Sequence, residues 1–421
     1  MRGLRIYRRM NLEQLIVRNG RVLDLVKGQL SEPLNIRVEG NRITEISNRP
    51  VDEKVSNVIE ASGMTVMPGL IDCHVHVVAS HMNLGINARQ PNVLATIRAL
   101  PILEGMLRRG FTSVRDAGGA DWSLMQAIDS GLIRGPKIYP SGRALSQTGG
   151  HGDFRKRGET FEACSCSYHG GAIARIVDGV DAVRLAVREE IQNGATQIKI
   201  MASGGVASPT DPIGNTQYSE EEITAIVREA EAAQTYVMAH AYTPRAISRA
   251  VRCGVRTIEH GNLVDKDTAE LMAERGAFVV PTLITYEATA EMGARYGMDP
   301  ESLLKVGVVR EAGRRSLEIY AAAGVKMGFG SDLLGEMHHM QLQELEIRAS
   351  LLGNLEALRS ATTVAASIVA QNEKLGVVDV GAVADLIVVE GNPLDNIRVL
   401  SDGEKNIKHV IQQGQQVEGL L

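Results

Sequence analysis

Between about Pro68 and about Val369, apolar β-rich runs alternate with helix-like stretches, the pattern of parallel strands joined by helical crossovers. Eight runs can be counted: GLIDCHVHV, TSVRDA, KIYPSG, TQIKIMAS, YVMAHA, RTIEHG, AFVVPTL and VKMGFGSD. The intervening VLATIRALPILEGMLRRG, DAVRLAVREEIQNG, SEEEITAIVREAEAAQ, PRAISRAVRCG and DTAELMAERG read as helices, several ending in Gly as helix C-termini prefer. Eight units over roughly 300 residues match an α/β chain folded as a (β/α)8 TIM barrel. An open doubly wound sheet is the alternative. No GxGxxG opens a helix after the first strand and GxxxxGK[ST] is absent, so dinucleotide and P-loop readings lose their main support.

Residues 14 to 67 read instead as short strands: LIVRNGRVLD, LNIRVEGNRITEI with Gly40-Asn41 between two alternating runs, and NVIEASGMTVM. The same texture returns in ADLIVVEG and NIKHVIQQGQQV. Two β segments too small for separate cores are expected to pair, so residues 1–67 plus 370–421 form a composite β-sandwich and residues 68–369 the barrel.

Composition narrows the class of ligand. A net charge of -5, from 45 basic and 50 acidic side chains, gives no electrostatic footprint for nucleic acid or an anionic membrane. Gly at 43 positions with only 4% aromatics suits tight strand-to-helix loops rather than stacking platforms, so a small-molecule enzyme is expected. The four cysteines, Cys73, Cys164, Cys166 and Cys253, lack zinc-ribbon spacing and point to a reducing, cytoplasmic setting. MRGLRIYRRM is basic, but no apolar h-region follows, so no signal peptide is expected; Arg2, Arg5, Arg8 and Arg9 read as a frayed arm. No run of about 18 apolar residues suggests a membrane helix.

The chemistry lies at strand ends. His74-Val75-His76 closes the first run, and a period of two puts both imidazoles on one face. Ten histidines give a chance count of about 0.24 for H-x-H, so the motif alone is weak. Its company is stronger: His240 ends YVMAH, His260 ends RTIEH and Asp332 ends VKMGFGSD, all where barrel enzymes place ligands and catalytic groups. Lys199, between Ile198 and Ile200 in a strand expected to be buried, is costly there as an ammonium. Its neutral amine can take up carbon dioxide to form a carbamate, a two-oxygen ligand able to bridge metals. A structural salt bridge is the plainer alternative.

With these residues in place, the sequence resembles the amidohydrolase superfamily. PGLIDCHVH, the lysine of IKIMASGG, the two later histidines and GSD match its metal motif, and VRDAGG, GGHGD, HAYTP, EHGNLVD and NPLDNI resemble its Xaa-Pro dipeptidases and Xaa-Arg/Lys carboxypeptidases, near imidazolonepropionase-like proteins. The strand-four lysine sets it apart from imidazolonepropionases and adenosine-deaminase-like members. The resemblance implies two divalent ions, expected to be zinc, one held by His74, His76 and Asp332 and the other by His240 and His260, with N6-carboxylated Lys199 between them. It further implies a metal-bridging hydroxide as nucleophile, Asp332 as proton shuttle and a homo-oligomer. An Xaa-Pro dipeptidase is the leading expectation. Xaa-Arg/Lys release, hydrolysis of cyclic or N-acyl amides, and a noncatalytic assembly barrel are the alternatives.

Secondary candidates are weaker. His151 in TGGHGD is expected to polarise the scissile carbonyl or contact the substrate, and Tyr218 to donate to the oxyanion or the substrate carboxylate. Each has a structural alternative, a loop-ordering hydrogen bond for His151 and ring packing for Tyr218. Ser219 reads as a helix N-cap, Cys73 as packing, His338 and His339 as mouth or surface residues, and SEEEITAIVREAEAAQ as a solvated helix.

Overall fold

The structure is a computed structural model that describes residues 14–50, 57–155, 170–208, 211–298, 300–369 and 374–417. The N-terminal strands Gln14–Asp24, Gln29–Glu39 and Arg42–Ser47 form a meander, and the Gly40-Asn41 turn joins Glu39 to Arg42 as expected. Met64–Pro68 lies parallel to the first of these and antiparallel to Leu386–Glu390, with Pro68 opposite Leu386 and Met64 opposite Glu390. Chain ends far apart in sequence thus meet edge to edge. Ile407–Gln412 and Gln415–Gln416 extend the same sheet into a path of seven strands, and Val58–Glu60 pairs beside Gln14–Asp24 as the eighth.

The expected two-layer sandwich is therefore corrected to one curled sheet. Its strands wrap a single apolar cluster that includes Leu15, Val17, Ile36, Val38, Val66, Leu386, Val388 and Ile411. Irregular pairing between Val17 and Gly20 and between Arg21 and Leu23 adds local twist. Gly20 is required there, because a Cβ would lie 2.4 Å from Val66 Cγ2.

The middle of the chain is built of parallel strands. Leu70–Val75, Phe111–Asp116 and Lys137–Tyr139 form one group; Ala174–Ile176, Ala144–Ser146, Ile198–Met201, Val237–Ala241, Thr257–His260 and Phe278–Val280 form another, in that spatial order. The expected KIYPSG strand is divided. Lys137–Tyr139 pairs with the second strand, the chain bends through Pro140, and Leu145 then pairs with Ile200.

The eighth expected strand is reduced to a bridge between Met327 and Val279. Even so, Gly328 N donates to Val279 O, Cys73 N to Phe329 O and Asp332 N to His74 O, each at 2.8 Å, so residues 326–332 run between the seventh and first strands. Glycine interrupts this run for a steric reason. A Cβ at Gly328 would lie 2.5 Å from Ile368 Cδ1, and one at Gly330 2.5 Å from Val280 Cγ1.

Helices cover the strands. Val183 and Val187 of Val180–Gln192 and Ile223 and Ile226 of Glu220–Ala232 share one apolar cluster with Ile198 and Ile200. Ser219 caps the latter helix through a reciprocal bond with Glu222, as its sequence signature predicts. Among the described residues, no helix is long and apolar enough to cross a membrane.

Candidate metal centre

His74 and His76 leave the end of Leu70–Val75 on one face, their ring centroids 5.5 Å apart. Strand register brings the next groups alongside: Met201 pairs with His240, and Ala241 with His260. His260 lies 4.9 Å from His74 and 4.7 Å from His240, centroid to centroid. Asp332 closes the group, with Oδ1 3.5 Å from His74 Nε2 and 3.4 Å from His76 Nε2. Atoms of His74, His260 and Asp332 lie mutually within 4.8 Å, close enough to share a metal ion.

Backbone conformation aims two of these side chains. His260 has φ 71° and Asp332 φ 50°, a left-handed region that costs a non-glycine residue about 1 kcal/mol or more. Such strain is characteristic of functional sites. The bond from Asp332 N to His74 O holds the second turn in place.

Each imidazole has one nitrogen engaged. Nδ1 of His74 meets Glu259 Oε2 at 2.7 Å, Nδ1 of His76 meets Gly118 O at 2.8 Å, and Nδ1 of His260 meets Thr282 Oγ1 at 2.8 Å. His240 engages Nε2 instead, 3.2 Å from Gly204 O. This leaves Nε2 of three histidines and Nδ1 of the fourth as available donors. Burial pushes all four histidines below their ordinary pKa, His76 to about 4, so the rings are neutral and able to ligate.

Lys199 is buried to 1% exposure. Burial lowers its pKa against the opposing pull of Glu259 and Asp332, favouring the amine that a carbamate requires. Burial likewise raises Asp332 above the usual carboxylate range, making it a better proton acceptor. The donor set of imidazoles and a carboxylate around a lysine amine fits a divalent ion such as zinc.

His151 reaches the rim of this group. Its ring stacks on His240 with centroids 4.2 Å apart, and its Nδ1 lies 3.0 Å from Ser208 Oγ. Tyr218 is held elsewhere: its hydroxyl donates to Val177 O at 3.1 Å and its ring belongs to the apolar cluster with Val183 and Ile223. Arg249 also clamps the Tyr218 carbonyl. Cys73 packs near Ala365, as expected. His338 is buried against Ala79 O, whereas His339 is exposed. Cys164, Cys166 and the arginine arm lie outside the described residues.

Several site residues escaped the sequence reading. Tyr242 and Tyr286, with hydroxyls 2.8 Å apart, set their rings beside His260. Asp72 accepts from His74 N, Ser331 N, Ser331 Oγ and Gln341 Nε2, tying the first strand to the turn carrying Asp332. Arg115 and Glu259 support His74 from below. These two carry the same signal as Lys199, a charge within an apolar strand; Tyr242 lies inside the HAYTP motif without itself being singled out, and Tyr286 carries no signal.

The chain is similar to known proteins over nearly its whole length. The model of the amidohydrolase family matches residues 65–417. Ochratoxinase from Aspergillus niger is 34% identical over 368 residues, covering 84% of this chain and 76% of that protein. A crystal structure of a prolidase complexed with N-methylphosphonate-L-proline is 67% identical, covers 96% of this chain and 99% of that one, and superposes with a TM-score of 0.94. A Xaa-Pro dipeptidase with bound methionine in its active site is 30% identical, with 96% and 100% coverage and a TM-score of 0.86.

Proposed function

The chain belongs to the amidohydrolase family and is a hydrolase of C–N bonds; from that premise we propose that it is a metal-dependent dipeptidase that cleaves Xaa-Pro. The observation that carries the metal-dependent reading is the convergence of four imidazoles and Asp332, with Lys199 buried in the strand beside the one that carries His240. Proline as the released residue is supported by the 67%-identical prolidase and the proline phosphonate it binds. Kinship to ochratoxinase supports a wider amide range as the second reading.

In this proposal His74, His76 and Asp332 would hold one ion and His240 and His260 the other, with a carboxylated Lys199 as a further ligand. Two divalent ions, zinc by the nature of the donors, would supply Lewis acidity and a lowered pKa for water. Asp332 accepts the proton released as water adds to the amide carbonyl, and delivers it to the leaving proline nitrogen. His151, with Nδ1 engaged by Ser208, presents Nε2 to the substrate and in its Nε2–H tautomer donates to the carbonyl oxygen. Tyr218, with its hydroxyl on Val177 O and its ring in the apolar cluster, is read as the packing alternative rather than as a donor to the oxyanion or the substrate carboxylate.

The two parallel strand groups are read as one closed (β/α)8 barrel over residues 68–369, with 1–67 plus 370–421 as the companion β domain. The divided third strand and residues 326–332 support closure, because each is bonded to strands of both groups. The test of function is amino-acid release from Xaa-Pro, Xaa-Arg and Xaa-Lys dipeptide libraries by zinc-loaded protein and a metal-stripped control. Metal-dependent proline release is expected; arginine or lysine release would transfer the assignment, and silence on all three would reject the peptidase.

A further inference from the structure

Three of the four central histidines give their engaged nitrogen to a neutral acceptor: His76 to the Gly118 carbonyl, His260 to the Thr282 hydroxyl and His240 to the Gly204 carbonyl. His74 differs. Its Nδ1 faces the carboxylate of Glu259 at 2.7 Å, in a pair whose side chains are 1% and 0% exposed. Both oxygens of that carboxylate accept from Arg115, which makes it an acceptor toward His74 as well, so His74 donates from Nδ1 and turns the lone pair of Nε2 toward Asp332.

Glu259 is itself held rigidly. Arg115 Nη2 donates to both of its oxygens, at 2.9 and 3.0 Å, and the Thr257 hydroxyl donates to Oε1 at 2.7 Å. Arg115 is anchored in turn, through Nε to the Cys73 carbonyl at 2.7 Å and through Nη1 to Thr257 Oγ1 at 3.0 Å. A fully buried arginine–glutamate pair has a large desolvation cost, and apolar side chains of similar volume would fill the space as stably. Glu259 hydrogen-bonds one imidazole of the four, in addition to its electrostatic pull on Lys199, and this gives the cost a purpose.

We propose that Glu259, oriented by Arg115, is a positioning residue that strengthens His74 as a metal donor and makes the two metal positions unequal. The inference rests on the metal-dependent reading above. A carboxylate behind a ligating imidazole fixes its tautomer and raises its basicity, and such outer partners are typically worth about 10- to 100-fold in metal affinity. Neutral acceptors behind His76, His240 and His260 fix orientation without the same increase in basicity.

The test measures metal content per chain as chelator concentration rises, for the full-length protein and for Glu259→Gln. Wild type is expected to lose its two zinc ions in two separated steps. Glu259→Gln should move one step to about 10- to 100-fold less chelator and leave the other in place. If the single variant fails to fold because Arg115 is left as an unpaired buried cation, Arg115→Met/Glu259→Gln removes both charges and carries the same expectation. Imidazole 15N spectra of the metal-free protein give a second readout: the protonated Nδ1 signal that disappears in His74→Gln should broaden or shift in Glu259→Ala. Superposed chelation curves from a wild type that holds two ions, or equal shifts of both steps, would overturn this inference alone. A wild type that holds no ion would overturn the metal reading and this inference with it.

Discussion

Gly205→Ala offers a sharp perturbation of the centre, because an added methyl would strike one side chain. A Cβ at Gly205 would lie 2.1 Å from His151 Cε1, 2.2 Å from Nδ1 and 2.6 Å from Nε2, with the three nearest atoms all in that ring. Restoring an ordinary contact of 3.4 Å requires a ring shift of about 1.3 Å. Such a shift must lengthen the 3.0 Å bond to Ser208 or open the 4.2 Å stack on His240. Overpacking of this kind typically costs about 1–3 kcal/mol of stability, so the protein should still fold. Misplacing a substrate-contacting group by about 1 Å can cost 100-fold in rate, or about 2.7 kcal/mol of transition-state stabilisation. The assay is kcat/KM for Xaa-Pro hydrolysis in a double-mutant cycle with His151→Ala, supported by thermal melts. Gly205→Ala alone should lose about two orders of magnitude, and almost nothing further in the His151→Ala background, where no ring is struck. Wild-type activity in Gly205→Ala, or the full loss repeated without the imidazole, would refute the reasoning.

Other perturbations probe separate parts of the account. Lys199→Ala and Asp332→Ala should each reduce turnover to background while circular dichroism reports a folded chain; activity surviving both changes would remove the proposed centre. Asp72→Asn places an amide where Oδ2 accepts from Ser331 Oγ and Gln341 Nε2, and should cost about 2 kcal/mol in denaturant unfolding. Burial lowers His338 to about 3, below its unfolded value of 6.5, so the folded state binds fewer protons across that window. Stability should therefore fall as pH falls below about 6.5, by up to about 1.4 kcal/mol per pH unit from this group, and His338→Gln should show a correspondingly shallower acid limb in its melting temperature.

The proposed ligands stand out in the sequence because a polar group at the end of an apolar strand is costly unless it has a partner to bind, and strand register places His240 and His260 side by side. The same logic applied to Arg115 and Glu259 exposes the support behind His74. Other features depend on tertiary packing. Ala144–Ser146 and Ala174–Ile176 are too short for alternation to register, and glycine stands at 328 and 330 in the eighth run because neighbouring side chains approach too closely for a Cβ. The terminal β segments are visible as strands, but whether they stack as two layers or join as one sheet depends on the edge pairing of Leu386–Glu390 with Met64–Pro68. Tyr218 has the loop position of a site residue, yet Val177 takes its hydroxyl and the apolar cluster takes its ring.

The most direct test returns zinc stepwise to metal-stripped protein while bound metal and proline release from Xaa-Pro are followed together. The account expects release to rise until two ions are bound per chain, and to remain at background in Lys199→Ala at every zinc concentration. Full proline release from the stripped protein in excess chelator, or from Lys199→Ala, would contradict it.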